Sequence, residues 1–210
     1  MPSVSGSVYG LTLLCPILND PAAIPSHDLQ IRRHLATLPV DSDSPFAIAP
    51  GTHLARLVVL DDVIYVGAPS CEEHLKSKYL VFESNCDGDL DGYLAGLAAA
   101  APQHLDAVWS HCVGYPGTAN PSAFVRYMKS CQVETTFFFA AVNNKSVPET
   151  LRALQTQRAV ADFIARHQGI EPAILQAKFA EFATTLKSAP LPKPGSTVSP
   201  RVLKTGGKNE

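Results

Sequence analysis

The chain lacks cysteine pairs. Its five cysteines, Cys15, Cys71, Cys86, Cys112 and Cys131, include no C-x-x-C, and their odd number leaves at least one thiol free. A structural zinc site wants two closely spaced ligand pairs, so reduced, buried thiols are expected instead. No apolar run reaches the roughly eighteen residues of a membrane span. No basic stretch precedes an apolar one at the N-terminus, so no secretory signal is visible and a cytoplasmic protein is expected. Charge is scarce, at 17% with a formal net of −2. Neutralising several phosphates needs clustered Lys and Arg, so nucleic acid is not an expected partner. The chain also has no G-x-G-x-x-G, Walker loop, G-x-S-x-G or H-E-x-x-H, which removes the usual support for dinucleotide redox, nucleotide hydrolysis, serine-hydrolase and zinc-protease chemistry. No repeat with a period of about 20 to 50 residues is present.

What the chain does have is apolar material, 46% of 210 residues, enough for one sizeable core or two small ones. One domain over 1–188 is expected. The segment 189–210, with Pro190, Pro192, Pro194 and Pro200, is too poor in apolar residues to fold by itself and reads as a disordered or docking tail.

Ser7 to Ile17 is a short apolar run closed by Asn19, Asp20 and Pro21, a first strand. Ser26 can cap a helix in which Ile31, Leu35 and Leu38 recur at helical spacing until Pro39. Pro39 to Gly51 has turn composition. His53 to Leu60 is a second strand, with His53, Ala55, Leu57 and Val59 on one face and Leu54, Arg56, Val58 and Leu60 on the other. Val63 to Lys78 reads as an irregular connection. Tyr79 to Ser84 is a third strand that passes through a polar Asn/Asp/Gly elbow into a helix carrying Leu90, Leu94 and Leu97, stopped by Pro102.

His104 to Cys112 fits a short helix or ordered loop, and Pro121 begins another helix with Phe124, Tyr127, Met128 and Cys131 on one side. Glu134 to Val142, aromatic and β-branched, is expected as the last strand. Ser146-Val-Pro-Glu149 is a capping box for a helix to Gly169, and a final helix near Pro172 packs through Leu175, Phe179, Phe182 and Leu186. The order strand, helix, strand, strand, helix, strand is the ferredoxin-like βαββαβ pattern: an α+β fold with an antiparallel sheet, here with an inserted helix and two extra C-terminal helices. An open parallel sheet would need a helix after nearly every strand. The direct passage from the second strand to the third argues against it.

This arrangement, with the run His53-Leu-Ala-Arg56 followed by Tyr79-Leu-Val-Phe-Glu-Ser-Asn-Cys-Asp-Gly88, resembles the dimeric α/β-barrel group, which includes antibiotic-biosynthesis-type monooxygenases, chlorite-dismutase-like proteins and dye-decolorising peroxidases. The resemblance spans roughly Ser7 to Val142 and lies in element order. It implies an open sheet face that pairs with a second copy as a homodimer, or encloses a small apolar ligand or haem. The helix after Pro121 and the two C-terminal helices depart from a minimal barrel subunit.

Asp87-Gly-Asp-Leu-Asp-Gly92 matches the opening of an EF-hand calcium loop, but Ala98 stands where the bidentate Glu belongs. The competing reading is a corner in which the Asx residues cap the turn and the acidic residues complement the helix dipole. His53 and Arg56, three apart on a strand, point to opposite faces. Arg56 is a candidate anchor for a substrate carboxylate or haem propionate, or one half of an ion pair with Glu83 or an Asp. His111, between Trp109 and the turn Gly114-Tyr-Pro-Gly117, is a candidate axial haem ligand or general base, or a histidine tied to a backbone carbonyl. Cys112 is a candidate nucleophile or a buried thiol. At least one of Phe137, Phe138 and Phe139 should line whatever lies over the sheet.

The expected function is a small-molecule oxidoreductase or monooxygenase acting on an apolar or aromatic substrate, with or without haem. His111 and Arg56 are its catalytic candidates, and His111, His53 and Arg56 its cofactor-binding candidates. The alternative is a non-catalytic ligand-binding or self-associating module.

Overall fold

The computed structural model describes residues 3–67, 71 and 73–196. The chain divides into two compact units, Met1–Ser146 and Val147–Glu210, a boundary that falls inside the segment expected as one domain. In the first unit β1 (Val4–Ser5) and β2 (Val8–Pro16) are followed by α1 (His27–Leu35), the one-turn α2 (Pro45–Ile48), β3 (Thr52–Leu60), β4 (Tyr79–Asp87), α3 (Leu90–Ala100), α4 (Pro102–Trp109) and α5 (Pro121–Ser130). The strands form one antiparallel sheet in the order β1-β2-β4-β3. The fold is α+β. Among the described residues no helix is long and apolar enough to cross a membrane.

Strand alternation builds the core. Leu11, Leu13 and Cys15 on β2, Val59 on β3, and Leu80, Phe82, Ser84 and Cys86 on β4 all turn inward. Against them pack Ile31 of α1, Leu90, Tyr93, Leu94 and Leu97 of α3, Leu105, Val108 and Trp109 of α4, and Phe124 and Met128 of α5. The Phe82 ring meets the Trp109 indole edge-on at 5.5 Å between centroids. Ser84 is the one polar side chain on the inner face of β4. Its hydroxyl donates to the Leu54 carbonyl at 3.0 Å and lies 2.7 Å from the Tyr93 hydroxyl, so its burial leaves no group unpaired.

The opposite face is open. Leu14, Leu54 and Val58 are 36%, 51% and 44% exposed there. They surround the Arg56–Glu83 ion pair, formed by directly opposed residues of β3 and β4.

The strand expected over Glu134–Val142 does not form. The outer edge of β2, where it would pair, is divided among three other segments. Gly10 donates to the Ser3 carbonyl, Leu14 donates to the Cys131 carbonyl while Val133 donates to that of Thr12, and Val113 donates to the Pro16 carbonyl. With those groups taken, residues beyond 133 have no ladder to join, and their β propensity goes unused. The segment bends instead, so that the Phe138 ring lies over Gly10, where a Cβ would stand 2.7 Å from it. The Asn143 carbonyl then accepts from the Ser7 amide at 2.7 Å.

The second unit holds α6 (Val147–Arg166) and α7 (Pro172–Ser188), joined through Phe163, whose ring stacks on that of Phe182 at 4.7 Å and meets that of Phe179 edge-on. Arg152 donates to the Ala189 carbonyl at 2.7 Å and Gln155 to that of Pro190 at 2.9 Å, which fastens the start of the expected tail. Residues 197–210 of that tail lie outside the described residues.

Candidate functional site

The antiparallel register brings the C-terminal ends of β2 and β3 and the start of β4 to one end of the sheet: Tyr79 pairs with both Pro16 and Leu60. α1 begins there too. The result is a polar cleft of about 350 Å³, lined by Asp20, Ser26, His27, Asp28, Asp61, Lys76 and Lys78 with Ile17 and Leu18 behind them. Its floor is an ion cluster. Lys78 Nζ lies 2.7 Å from Asp28 and 3.2 Å from Asp61, and Arg32 donates to Asp61 at 2.5 Å. Burial alone would raise the carboxyl of Asp28, which is only 7% exposed, but hydrogen bonds from Lys78 and Ser26 hold it below the usual carboxylate range. The same bond to Asp28 holds Lys78 above its ordinary value. Beside the cleft, Asp62 accepts from the Val63 and Leu75 amides and pairs with His74. These bonds pin the connection between β3 and β4 and bring Asp62 down to about 2.

Behind His27 stands His111. Their Nδ1 atoms are 2.8 Å apart. The Leu18 amide, in the extension of β2, donates to the His111 carbonyl and holds that turn in place. A hydrogen bond between two imidazole Nδ1 atoms requires one to carry the proton and the other to accept it. The pair therefore shares one proton along this line and cannot keep the bond when both rings are cationic. Burial first, then the proximity of His27 and His34, pushes His111 down from its ordinary value, so it is neutral near pH 7 and can accept a proton. His34 is pushed down in the same way by burial and by His104, whose ring centroid lies 5.8 Å away.

Sequence reasoning singled out His111 and missed its three neighbours. The signal was there: His27 and His34 are seven residues apart, as are His104 and His111, and seven residues is close to two helical turns. His27 and His34 thus fall on one side of α1, while His104 lies on α4 and His111 two residues past its end. What the sequence could not show is that α1 and α4 face one another.

The other candidates lie elsewhere. His53, beside an irregularity in the ladder near the start of β3, bonds Asp87 at 2.7 Å. That is the end of the sheet opposite His111, and β3, at about 3.4 Å per residue, keeps the two far apart. Arg56 projects onto the open face and pairs with Glu83. The set His111, His53 and Arg56 therefore does not converge. Haem does not fit it: the proposed propionate anchor is on the wrong face, and the cleft nearest His111 is walled by Asp20, Asp28 and Asp61 rather than by apolar side chains. Cys112 is 2% exposed, and burial pushes its thiol up to about 12, the opposite of an activated nucleophile. Phe137 and Phe139 are 82% and 71% exposed, so Phe138, over Gly10, is the ring of the three on the sheet.

The three carboxylates of the calcium-like run are otherwise engaged. Asp87 bonds His53, Asp89 caps α3 by accepting from the Gly92 amide at 2.9 Å, and Asp91 pairs with Lys129 at 2.8 Å. Gly88 takes φ +78° to turn the corner between strand and helix. Among the described residues no group of three His, Cys, Asp or Glu side chains is placed to hold a metal ion. No family model, no curated protein and no solved structure matches the chain.

Proposed function

We propose that the chain binds a small polar molecule in the cleft at the junction of β2, β3, β4 and α1, and that the His27–His111 pair exchanges a proton with it. The 2.8 Å bond between the two imidazoles, one of which lines a charged cleft, carries this reading. A neutral histidine backed by a second one is a general base with somewhere to pass its proton. The volume stands at the small end of the range that ligand sites occupy, about 300 to 1,000 Å³. Its charged walls favour a hydrogen-bonding ligand over the apolar or aromatic substrate that the barrel resemblance implies. The oxidoreductase and haem expectations have the resemblance alone behind them.

Thermal-shift measurements against a panel of small hydroxy acids, amino acids and polyamines test the proposal. Stabilisation by members of the panel, lost in both His27→Asn and Asp61→Asn, is expected. No stabilisation by any member, or stabilisation that survives both substitutions, would overturn it.

A second reading concerns the open sheet face. We infer that the three long strands, in the order β2-β4-β3, are the first three strands of a ferredoxin-like sheet whose fourth position is filled piecemeal. In the dimeric α/β-barrel group the corresponding face meets a second copy. Exposed Leu14, Leu54 and Val58 favour such pairing. Light scattering that shows a dimer, dissociated by Val58→Asp, supports it; a monomer at high concentration refutes it.

A further inference from the structure

Three thiols gather at the outer edge of β2. Cys15 lies on β2 itself, Cys131 ends α5, and Cys112 follows α4 where Ile17 and Cys112 make an isolated antiparallel bridge. The backbone brings the first two together. Leu13 stands opposite Gln132 and Leu14 donates to the Cys131 carbonyl at 2.9 Å, so Cys15 and Cys131 are diagonal neighbours on adjoining segments. Segments bridged in this way lie about 5 Å apart, within the span that a disulfide closes. Each of the two thiols shifts the other's proton affinity, as close neighbours do.

Two further donors converge on this pair. Trp109 Nε1 and the Tyr127 hydroxyl are both buried without a hydrogen-bond partner among the described residues, and Trp109 as a whole is 1% exposed. Trp109 influences the Cys15 thiol and Tyr127 that of Cys131, which sets each unpartnered donor near one sulfur. A buried N–H or O–H left without an acceptor costs stability, and a thiolate is a far better acceptor than a thiol. The neighbouring Cys15 thiol does most to bring Cys131 below its ordinary value, against the opposing effect of burial. Cys15 is shifted upward by Cys131 and by burial and stays protonated. The exposures agree with unequal roles: Cys131 is partly accessible and Cys15 is buried.

We propose that Cys131 and Cys15 form a peroxide-reactive pair in which Cys131 is the attacking residue and Cys15 the resolving one. The Cys131 thiolate attacks a hydroperoxide, the O–O bond breaks, sulfur gains the hydroxyl as a sulfenic acid, and the other oxygen leaves as hydroxide or alkoxide. The Cys15 sulfur then attacks the sulfenic sulfur. The S–S bond forms as the S–OH bond breaks, and the proton from Cys15 leaves with the hydroxyl as water. The product ties the end of α5 to β2 at the edge where no regular fourth strand secures it, and a dithiol reductant restores both thiols.

The test is treatment of the full chain with hydrogen peroxide, followed by peptide mapping without reduction. A cross-link joining the Cys15 and Cys131 peptides is expected, with loss of two hydrogens per chain and a fluorescence change at Trp109, the only tryptophan. In Cys15→Ala the cross-link disappears and a dimedone adduct accumulates at Cys131. Cys112→Ala keeps the Cys15–Cys131 bond. Oxidation that begins at exposed Cys71 and leaves Cys131 reduced, or a cross-link of Cys131 to Cys112, would overturn the assignment. Mapping of the unsubstituted chain decides this even if a variant does not fold.

Discussion

β4 and the segment 134–142 are both nine residues long and rich in apolar and β-forming residues, yet one is a central strand and the other has no regular structure. β4 lies between β2 and β3, so both its edges are paired, and its inner residues Leu80, Phe82, Ser84 and Cys86 are each at most 1% exposed. The segment 134–142 reaches an edge whose donors and acceptors are already used, and it leaves two of three consecutive phenylalanines in solvent. Propensity is a preference for a half-buried, pleated site. Whether such a site is free depends on the rest of the chain.

The largest expected effect separates the two regions directly. Phe82→Ala should cost about 3–5 kcal/mol of folding stability, since it empties a site packed between Phe46 and Trp109. Phe139→Ala should stay within about 0.5 kcal/mol. Chemical denaturation of both variants checks the contrast, and similar losses would show that 134–142 is packed after all. A middle-sized effect tests the one ring of the segment that is used. Gly10→Ala places a methyl against Phe138 and should cost about 1–3 kcal/mol, most of it recovered when Phe138→Ala is added. An additive pair would mean that the ring simply moves away.

The smallest effect concerns pH and the helix pair α1 and α4, which the sheet holds together. His111 and His34 have folded-state values below the ordinary 6.5. For a base, a depressed folded value means that the neutral ring is favoured by folding. The resulting stability is fully present above 6.5 and is lost as pH falls below it. The groups that face His111 are His27 and His34, both of which add to the repulsion on protonation. Urea midpoints should therefore fall as pH drops from neutral through the range below 6.5. The fall should be shallower in His111→Asn; an unchanged slope would remove His111 from the account.

Much of the fold was legible residue by residue. The strands at Val8–Pro16, Thr52–Leu60 and Tyr79–Asp87 and the helices α1, α3, α5 and α7 announce themselves through apolar period, with Pro121 and Pro172 marking two of the helix starts; Ser26 stands at the N-cap of α1 without a side-chain cap bond. Those signals are local, because backbone geometry repeats over a few residues. The site was less legible. His111 stood out by its aromatic and turn neighbours, but His27 is 84 residues away from it, and Asp28 is 50 residues from Lys78.

The sequence by itself determined which segments bury a face and where most of them stop, since period, caps and prolines act within a turn or two. Only the tertiary structure decided three things. It gave the outer edge of β2 to Ser3, Cys131–Val133 and Val113 rather than to Glu134–Val142, it opposed His27 to His111, and it set Cys15 beside Cys131. Each is a competition for one partner among groups far apart in the chain, settled by how the whole core closes.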